Sequence, residues 1–215
     1  NFRIGHSKSQ KDYLDYKARI LKNRGIRKYY RKDNKGFGYK GERMYLFETK
    51  YYQELTEIYN LLYVNGKKTF SREYLNLLNG EGLAYWYLDD GNYDDGNVKQ
   101  NSNWRGYAAI IVGKNNHKKN EIDIILKWLM ERFNLKAKII EKNNRWVIKF
   151  STKETEKLFE IISLFVHPSM NYKLSGEFRN NFIEWIEKPK DYYCNKVKSI
   201  NKIDLKKYNR GNLYK

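Results

Sequence analysis

Two adjacent carboxylates, Asp89 and Asp90, follow an apolar and aromatic run at positions 83–88 and precede Gly91. The run predicts a short helix that ends at the acids. A helix dipole places negative potential at that end, so two carboxylates there need a divalent cation or a lysine to neutralise them. Mg²⁺ binds one or two protein carboxylates together with water and phosphate oxygens, which predicts a metal site for phosphodiester chemistry. The alternative is an ordinary turn at a helix end.

The sequence has no second pattern of metal-binding or catalytic residues. Asp94 and Asp95 lie just downstream, but the glycine and the closing glutamate of a calcium-binding EF-hand loop are not at the required positions. His6, His117 and His167 are far apart and are expected in structural or surface roles. The sequence also lacks a glycine-rich phosphate loop and a Ser–His–Asp set. The acid pair is therefore the main chemical candidate.

The charge balance indicates a polyanionic partner. The chain has 215 residues, with 43 Lys and Arg against 25 Asp and Glu, and a formal net charge of +18. Such a surplus favours nucleic acid, and less strongly an anionic membrane surface. No apolar run is long enough for a membrane span. The single cysteine, Cys194, excludes an internal disulfide and a multi-cysteine zinc site.

The order strand, helix, two strands, helix occurs twice along the chain. Apolar spacing predicts these elements at 2–6, 11–21, 27–31, 44–48 and 51–63, and again at 107–112, 118–133, 135–140, 146–150 and 153–165. In the helix at 51–63, one face is expected to carry Leu55, Ile58, Tyr59 and Leu62. Each set is followed by a similar short segment, at 64–70 and at 167–174, and these segments contain Lys68 and Lys173, 105 residues apart.

The repeat predicts three parts: a first half at 1–79, a second half at 80–174 and a basic extension at 175–215. The extension interleaves tyrosine with lysine and has only weak periodicity. It fits a solvated tail and an arm along a nucleic-acid backbone equally well.

The nine residues LAYWYLDDG at 83–91 resemble the signature helix of the LAGLIDADG homing endonucleases. Together with the repeat and the segments NGKKTF and MNYKL, they resemble the monomeric, two-motif members of that family over residues 1–174. The resemblance implies an α+β fold with two pseudo-symmetric halves of α-β-β-α-β-β-α type. In such a saddle, each half presents a twisted antiparallel sheet to DNA.

The resemblance also implies roles for individual residues. Asp90 is the acid expected to bind Mg²⁺, and Lys68 and Lys173 are expected to act as catalytic residues beside the two scissile phosphates. The motif helix is expected to pack against its counterpart through Gly82, Leu83 and Ala84. Polar residues of the sheets are expected to contact nucleic acid, namely Arg27, Lys28, Tyr30, Arg31, Lys136, Lys138 and Lys149.

Family monomers carry two motif helices, whereas this sequence shows one. We therefore expect the first acid to come from upstream sequence or from another chain, or to have been lost by a natural truncation of the reading frame. This chain alone is expected to nick DNA poorly. The expected function is Mg²⁺-dependent, site-specific cleavage of double-stranded DNA. A non-catalytic binder of structured RNA is the alternative, such as an intron maturase or a structural protein of an organellar ribosome or another ribonucleoprotein. Residue usage typical of AT-rich genomes favours the mitochondrial matrix, with a phage or bacterial cytoplasm as the alternative.

Overall fold

The computed structural model describes residues 1–21, 26–31, 44–95, 106–114 and 119–180. The chain divides into two compact units, Asn1–Ser175 and Gly176–Lys215. The second unit contributes one described helix, α7 (Gly176–Asn180), and the rest of the basic extension lies outside the described residues. Among the described helices, none combines the length and the apolar character needed to cross a membrane.

The first half of the larger unit contains five strands and three helices. In chain order these are β1 (Arg3–Ser7), α1 (Lys11–Ile20), β2 (Ile26–Arg31), β3 (Met44–Thr49), α2 (Gln53–Leu62), β4 (Tyr63–Val64), β5 (Lys67–Lys68) and α3 (Arg72–Asn76). The second half begins with the helix that carries the acid pair. Its elements are α4 (Gly80–Asp90), β6 (Gly91–Asp94), β7 (Tyr107–Lys114), α5 (Lys119–Phe133), β8 (Ala137–Lys142), β9 (Arg145–Phe150) and α6 (Thr152–Ile162).

The two main sheets have matching antiparallel topologies. The strand order is β1-β3-β2 in the first half and β6-β7-β9-β8 in the second. The registers correspond as well, because Ile4 pairs with the buried Phe47 as Ile110 pairs with the buried Ile148. These sheets and the mixed helix content confirm the predicted α+β fold with two related halves. Within the described residues, β6 and α4 have no counterpart in the first half, so β1 corresponds to β7.

The repeated lysine segments fold differently from each other. In the first half, Asn65 and Gly66 both have positive φ, 51° and 71°, and they turn β4 into β5 as a tight hairpin that carries Lys68. In the second half, Pro168 begins a 3-10 helix that ends at Lys173. Proline is favoured at the first position of a helix and lacks the amide that a strand ladder uses. The similarity of the two segments in sequence therefore does not extend to their backbone.

The apolar face of α2 is not buried by the described residues. None of its residues is buried, and Ile58 and Tyr59 are 39% and 52% exposed. The residues of α6 that occupy the matching face are buried, and they are Thr155, Leu158, Phe159 and Ile162. The physical reason is the packing partner: α6 packs on α4, β7 and β9, whereas α2 packs mainly on α3 and β4.

Candidate functional site

The acid pair ends α4 because both ends of that helix are defined by local chemistry. At its start, the side chain of Asn79 accepts a hydrogen bond from the Gly82 amide at 3.0 Å, a standard N-cap. At its end, Gly91 packs so closely that a Cβ there would lie 2.4 Å from the Tyr87 carbonyl oxygen. Glycine is thus required after the acids by close contact, and β6 begins at once.

Lys173 closes the C-terminal end of α4. Its ammonium group donates to the carbonyls of Leu88 and Gly91, at 2.6 and 2.9 Å. The side chain is buried, and burial lowers the pKa of Lys173, although Asp89 and Asp90 oppose that shift. A cation at this end of a helix stabilises the helix dipole. Lys173 therefore offsets the negative potential at this helix end by binding its carbonyls.

Asp90 is exposed at the last position of α4, yet enough protein surrounds it that burial raises its pKa. The neighbouring charge of Asp89 raises the pKa further, because two adjacent carboxylates repel. Lys68, Lys173 and Lys17 act in the opposite direction. Lys68 is exposed on β5, and its ammonium group lies 5.6 Å from the centre of the Phe70 ring. The charges of Lys68 and Lys173 therefore both act on Asp90.

Asp89 makes a different set of contacts. Its Oδ1 accepts a hydrogen bond from the Lys17 ammonium group at 2.5 Å, and the His6 Nε2 lies 3.7 Å away. Lys17 comes from α1 in the first half, so this pair joins the two halves. The sequence prediction missed Lys17. The spacing in the sequence could have identified it. Lys17 follows Tyr13 by four residues and Leu14 by three, so the three share the buried face of α1.

One face of the second sheet is basic. Lys138 lies directly opposite Lys149 in the β8–β9 pairing, and the Lys149 ammonium group is 3.6 Å from the centre of the Tyr107 ring. Lys136 precedes β8, where its backbone amide donates to Glu154. The same register adds two residues that the sequence prediction missed, Lys142 and Arg145, paired at the end of the hairpin. Alternation along strands places both cross-strand pairs on one face.

The predicted contacts on β2 are placed only by their backbone. Arg27 pairs with Glu48 and Arg31 with Met44, and Lys28 and Tyr30 lie between them in the same strand. Their side chains lie outside the described part of the structure.

The three predicted packing residues differ in their surroundings. Leu83 and Ala84 are completely buried within the unit. Gly82 is half-buried, and a Cβ there would approach only Leu78, at 3.1 Å. The backbone of Gly80, by contrast, faces Ile161 and Phe165. A role of Gly82, Leu83 and Ala84 in contact with a second motif helix remains a prediction.

The donor set at Asp90 fits part of a Mg²⁺ site. Among the described residues, no group of three or more His, Cys, Asp or Glu side chains could hold a metal ion. Asp89 already accepts from Lys17, which leaves the Asp90 carboxylate as the protein ligand. Mg²⁺ commonly takes one or two carboxylates and fills its other positions with water and phosphate oxygens. Asp90 therefore suits a metal that also binds a phosphate group.

Comparisons with known proteins support the fold and the family of this chain. The family model described as LAGLIDADG DNA endonuclease family matches residues 1–158. A probable intron-encoded DNA endonuclease 3 of Mycosarcoma maydis is 31% identical over 61% of this chain and 93% of its own length. A protein named Protein RecA from Mycobacterium shimoidei is 29% identical over 83% of this chain, which spans 41% of that relative.

The solved homing endonuclease I-WcaI, bound to its DNA recognition sequence, is 22% identical with a TM-score of 0.63. That match covers 81% of this chain and 75% of the other, and it supports the same fold. The family match extends over most of the chain and includes α4 with its two acids. The chain belongs to the LAGLIDADG DNA endonuclease family.

Proposed function

We propose that this protein is a site-specific endonuclease of the homing type that hydrolyses double-stranded DNA with Mg²⁺. The observation that carries the proposal is Asp90, an exposed carboxylate at the end of α4 with Lys68 and Lys173 acting on it. A phosphodiester could bind where a carboxylate and cations converge, because the cations attract the phosphate and the acid attracts the metal.

Each group has a distinct role in the proposed reaction. Asp90 would hold Mg²⁺, which supplies charge neutralisation at the phosphate and lowers the pKa of bound water. Lys68 is exposed and free to approach a phosphate oxygen, whereas Lys173 uses two donors on carbonyls of α4. We therefore assign direct contact with the scissile phosphate to Lys68. Lys173 acts by fixing the helix end and by its charge.

The basic sheet face supports DNA as the partner. Lys138, Lys149, Lys142 and Arg145 form two cross-strand pairs on one face of the second sheet. Binding of such a face to phosphates releases counterions and makes affinity fall with salt. The Mycosarcoma maydis relative is itself named a DNA endonuclease. We propose the mitochondrial matrix as the compartment, because several relatives are named intron-encoded and residue usage is of AT-rich type.

We also propose that a second helix–strand unit, similar to α4 and β6, completes the site. In the described part of the chain, β1 pairs with β3 alone, while β7 pairs with both β6 and β9. A cleft of about 560 Å³ is lined by β1 and by Asp89 and Asp90. The exposed face of α2 would be covered by the added helix, as that of α6 is covered by α4. A second acid would then lie near Asp90.

A cleavage assay with matched variants tests the endonuclease proposal. The chain, alone and with a copy of residues 80–95 joined through a flexible linker before Asn1, is incubated with Mg²⁺ and a library of candidate intron-insertion sites. We expect poor nicking by the chain alone and site-specific double-strand cuts by the extended form. Asp90→Asn should abolish cleavage while DNA affinity is retained or increased, because a repelling charge is removed.

The control is Asp95→Asn, which removes an exposed acid beyond β6 and should leave cleavage intact. No cut by either form on any site would contradict the enzyme. Tighter binding to structured RNA than to duplex DNA in the same buffer would then support the non-catalytic alternative. If the added unit does not slow amide hydrogen exchange in α2, the proposal that a second helix–strand unit completes the site is contradicted. The endonuclease proposal is not affected by that result.

A further inference from the structure

Lys17 is a buried cation at the point where the two halves meet. Its side chain is on α1 and is only 6% exposed. Its ammonium group lies 2.5 Å from Asp89 Oδ1, 3.3 Å from His6 Nε2 and 4.2 Å from the centre of the Tyr13 ring. Lysine is almost never buried without a partner, because an isolated charge loses its hydration. Asp89 supplies that partner from the other half.

The cluster continues through one chain of hydrogen bonds. A charged lysine can only donate, so the Nε2 of His6 accepts from Lys17 and its Nδ1 carries the proton. That Nδ1 donates to Gln10 Oε1 at 2.9 Å, and the Gln10 amide nitrogen donates to the Tyr172 hydroxyl at 2.8 Å. A single assignment of protons satisfies every contact. The chain therefore connects Asp89 on α4 with Tyr172, the residue next to Lys173.

This chain of hydrogen bonds gives the two neighbouring acids different surroundings. Asp89 and Asp90 are consecutive, and their like charges disfavour each other. Asp89 is faced by Lys17, by His6 and by the hydroxyl of Tyr13, whose pKa is raised by burial and by the charge of Asp89. These three residues come from β1 and α1 in the first half. Among the cations that act on Asp90, Lys68 has the largest effect, ahead of Lys173 and Lys17.

We propose that Lys17, held by His6, is a positioning residue that neutralises and retains Asp89, so that Asp90 alone is presented to metal and phosphate. The proposal rests on the proposed endonuclease function. Lys17 touches neither substrate nor metal in this role. It acts through Asp89 and through the end of α4, which must keep one orientation for Asp90 to meet the scissile phosphate.

Kinetics of the cleaving form provide the first test. Lys17→Met should lower kcat at least ~10-fold with KM changed less than ~2-fold, because ground-state DNA binding does not involve Lys17. Lys17→Arg should recover a large part of kcat, since it restores the cation. Combining Lys17→Met with Asp89→Asn should also recover kcat, because the unpaired acid is removed together with its partner. Lys11→Met is the control, because it removes a half-buried ion pair with Asp15 on the same helix.

The proton position on His6 provides a test that needs no cleavage. Long-range ¹⁵N–¹H NMR spectra of the folded chain should show His6 with its proton on Nδ1, and Lys17→Met should change that pattern while Lys11→Met does not. A His6 proton on Nε2, or kcat unchanged in Lys17→Met, would overturn the proposal. If Lys17→Met does not fold, the double variant is measured instead. A folded double variant with wild-type kcat supports the proposal. A folded double variant that cleaves as little as Asp90→Asn contradicts the proposal. Absence of cleavage in every form contradicts the endonuclease and leaves the NMR test to judge the hydrogen-bond chain.

Discussion

Tyr87 and Lys173 hold the end of the motif helix from two sides. The Tyr87 hydroxyl donates to the Lys173 carbonyl at 2.7 Å, while the Lys173 ammonium group reaches the carbonyls just beyond Tyr87. Both side chains are buried. The backbone position of Lys173 and its charge are therefore set by α4 itself, which makes this lysine part of the helix end as well as of the site.

Lys173→Met should destabilise the protein by about 2–3 kcal/mol, because two buried carbonyls lose a charged donor and little water can replace it. Urea unfolding followed by circular dichroism measures the change. Lys68→Met provides the comparison. Lys68 is exposed on the hairpin, so its removal should change stability by less than about 0.5 kcal/mol. Equal losses in the two variants would contradict the helix-closing role of Lys173.

Lys149→Met should weaken binding to duplex DNA at all sequences and reduce the salt slope of log affinity by about 1. The reason is its place in the Lys138–Lys149 pair, with the ammonium group over Tyr107. Fluorescence anisotropy at several salt concentrations measures the slope. Lys153→Met, which removes an exposed lysine from α6, should leave the slope unchanged. Identical salt slopes for the wild type and both variants would show that the sheet face does not bind the DNA backbone.

Local sequence patterns predicted most of the fold. The two halves and nearly every helix and strand of the main sheets were predicted to within a few residues, since apolar periodicity and turn residues act locally. The predicted start of the motif helix was late because Asn79, its N-cap, precedes the apolar run. The strand β6 was not predicted, since four residues after a helix carry little periodic signal.

Relationships between distant residues could not be predicted in the same way. Lys17 and Asp89 are 72 positions apart, and their pairing depends on how the two halves pack. The exposure of α2 has the same origin, because a helix with a clear apolar face is buried only where a partner covers it. Family resemblance, and not local patterning, assigned three residues to one site: Asp90, Lys68 and Lys173. Their catalytic roles remain predictions.

Glu154→Gln should lower stability by about 1–2 kcal/mol near neutral pH, with the difference disappearing in acid. Burial alone would raise the pKa of Glu154, but hydrogen bonds from the Lys136 amide and from Lys157 hold it below its usual value of 4.5. Because the pKa of Glu154 is lower in the folded protein than its usual value of 4.5, the carboxylate stabilises the fold above pH 4.5. That stabilisation is lost as the pH falls through the pKa of the folded state. Urea unfolding at pH 7 and at pH 3 measures both limits.

Glu160→Gln is the control on the same helix, because Glu160 is exposed. Its stability should follow that of the wild type at both pH values. A Glu154→Gln deficit that persisted unchanged at pH 3 would show that the loss comes from packing and not from the charged hydrogen bonds.

Gly91→Ala should destabilise the chain far more than Gly82→Ala, although both glycines lie on or beside the motif helix. A Cβ at Gly91 would overlap the Tyr87 carbonyl and ring, at 2.4 Å each, and the rigid backbone cannot yield easily. We expect a loss of about 2–3 kcal/mol.

A Cβ at Gly82 meets only Leu78, so stability of the chain should stay within about 1 kcal/mol of the wild type. In the form extended by a second helix–strand unit, a seam through Gly82 would be crowded by the added methyl, and cleavage should fall while the unextended chain keeps its stability. Thermal unfolding and cleavage, measured on both forms, separate the two effects. Full cleavage by the extended Gly82→Ala protein would place the helix contact elsewhere on α4.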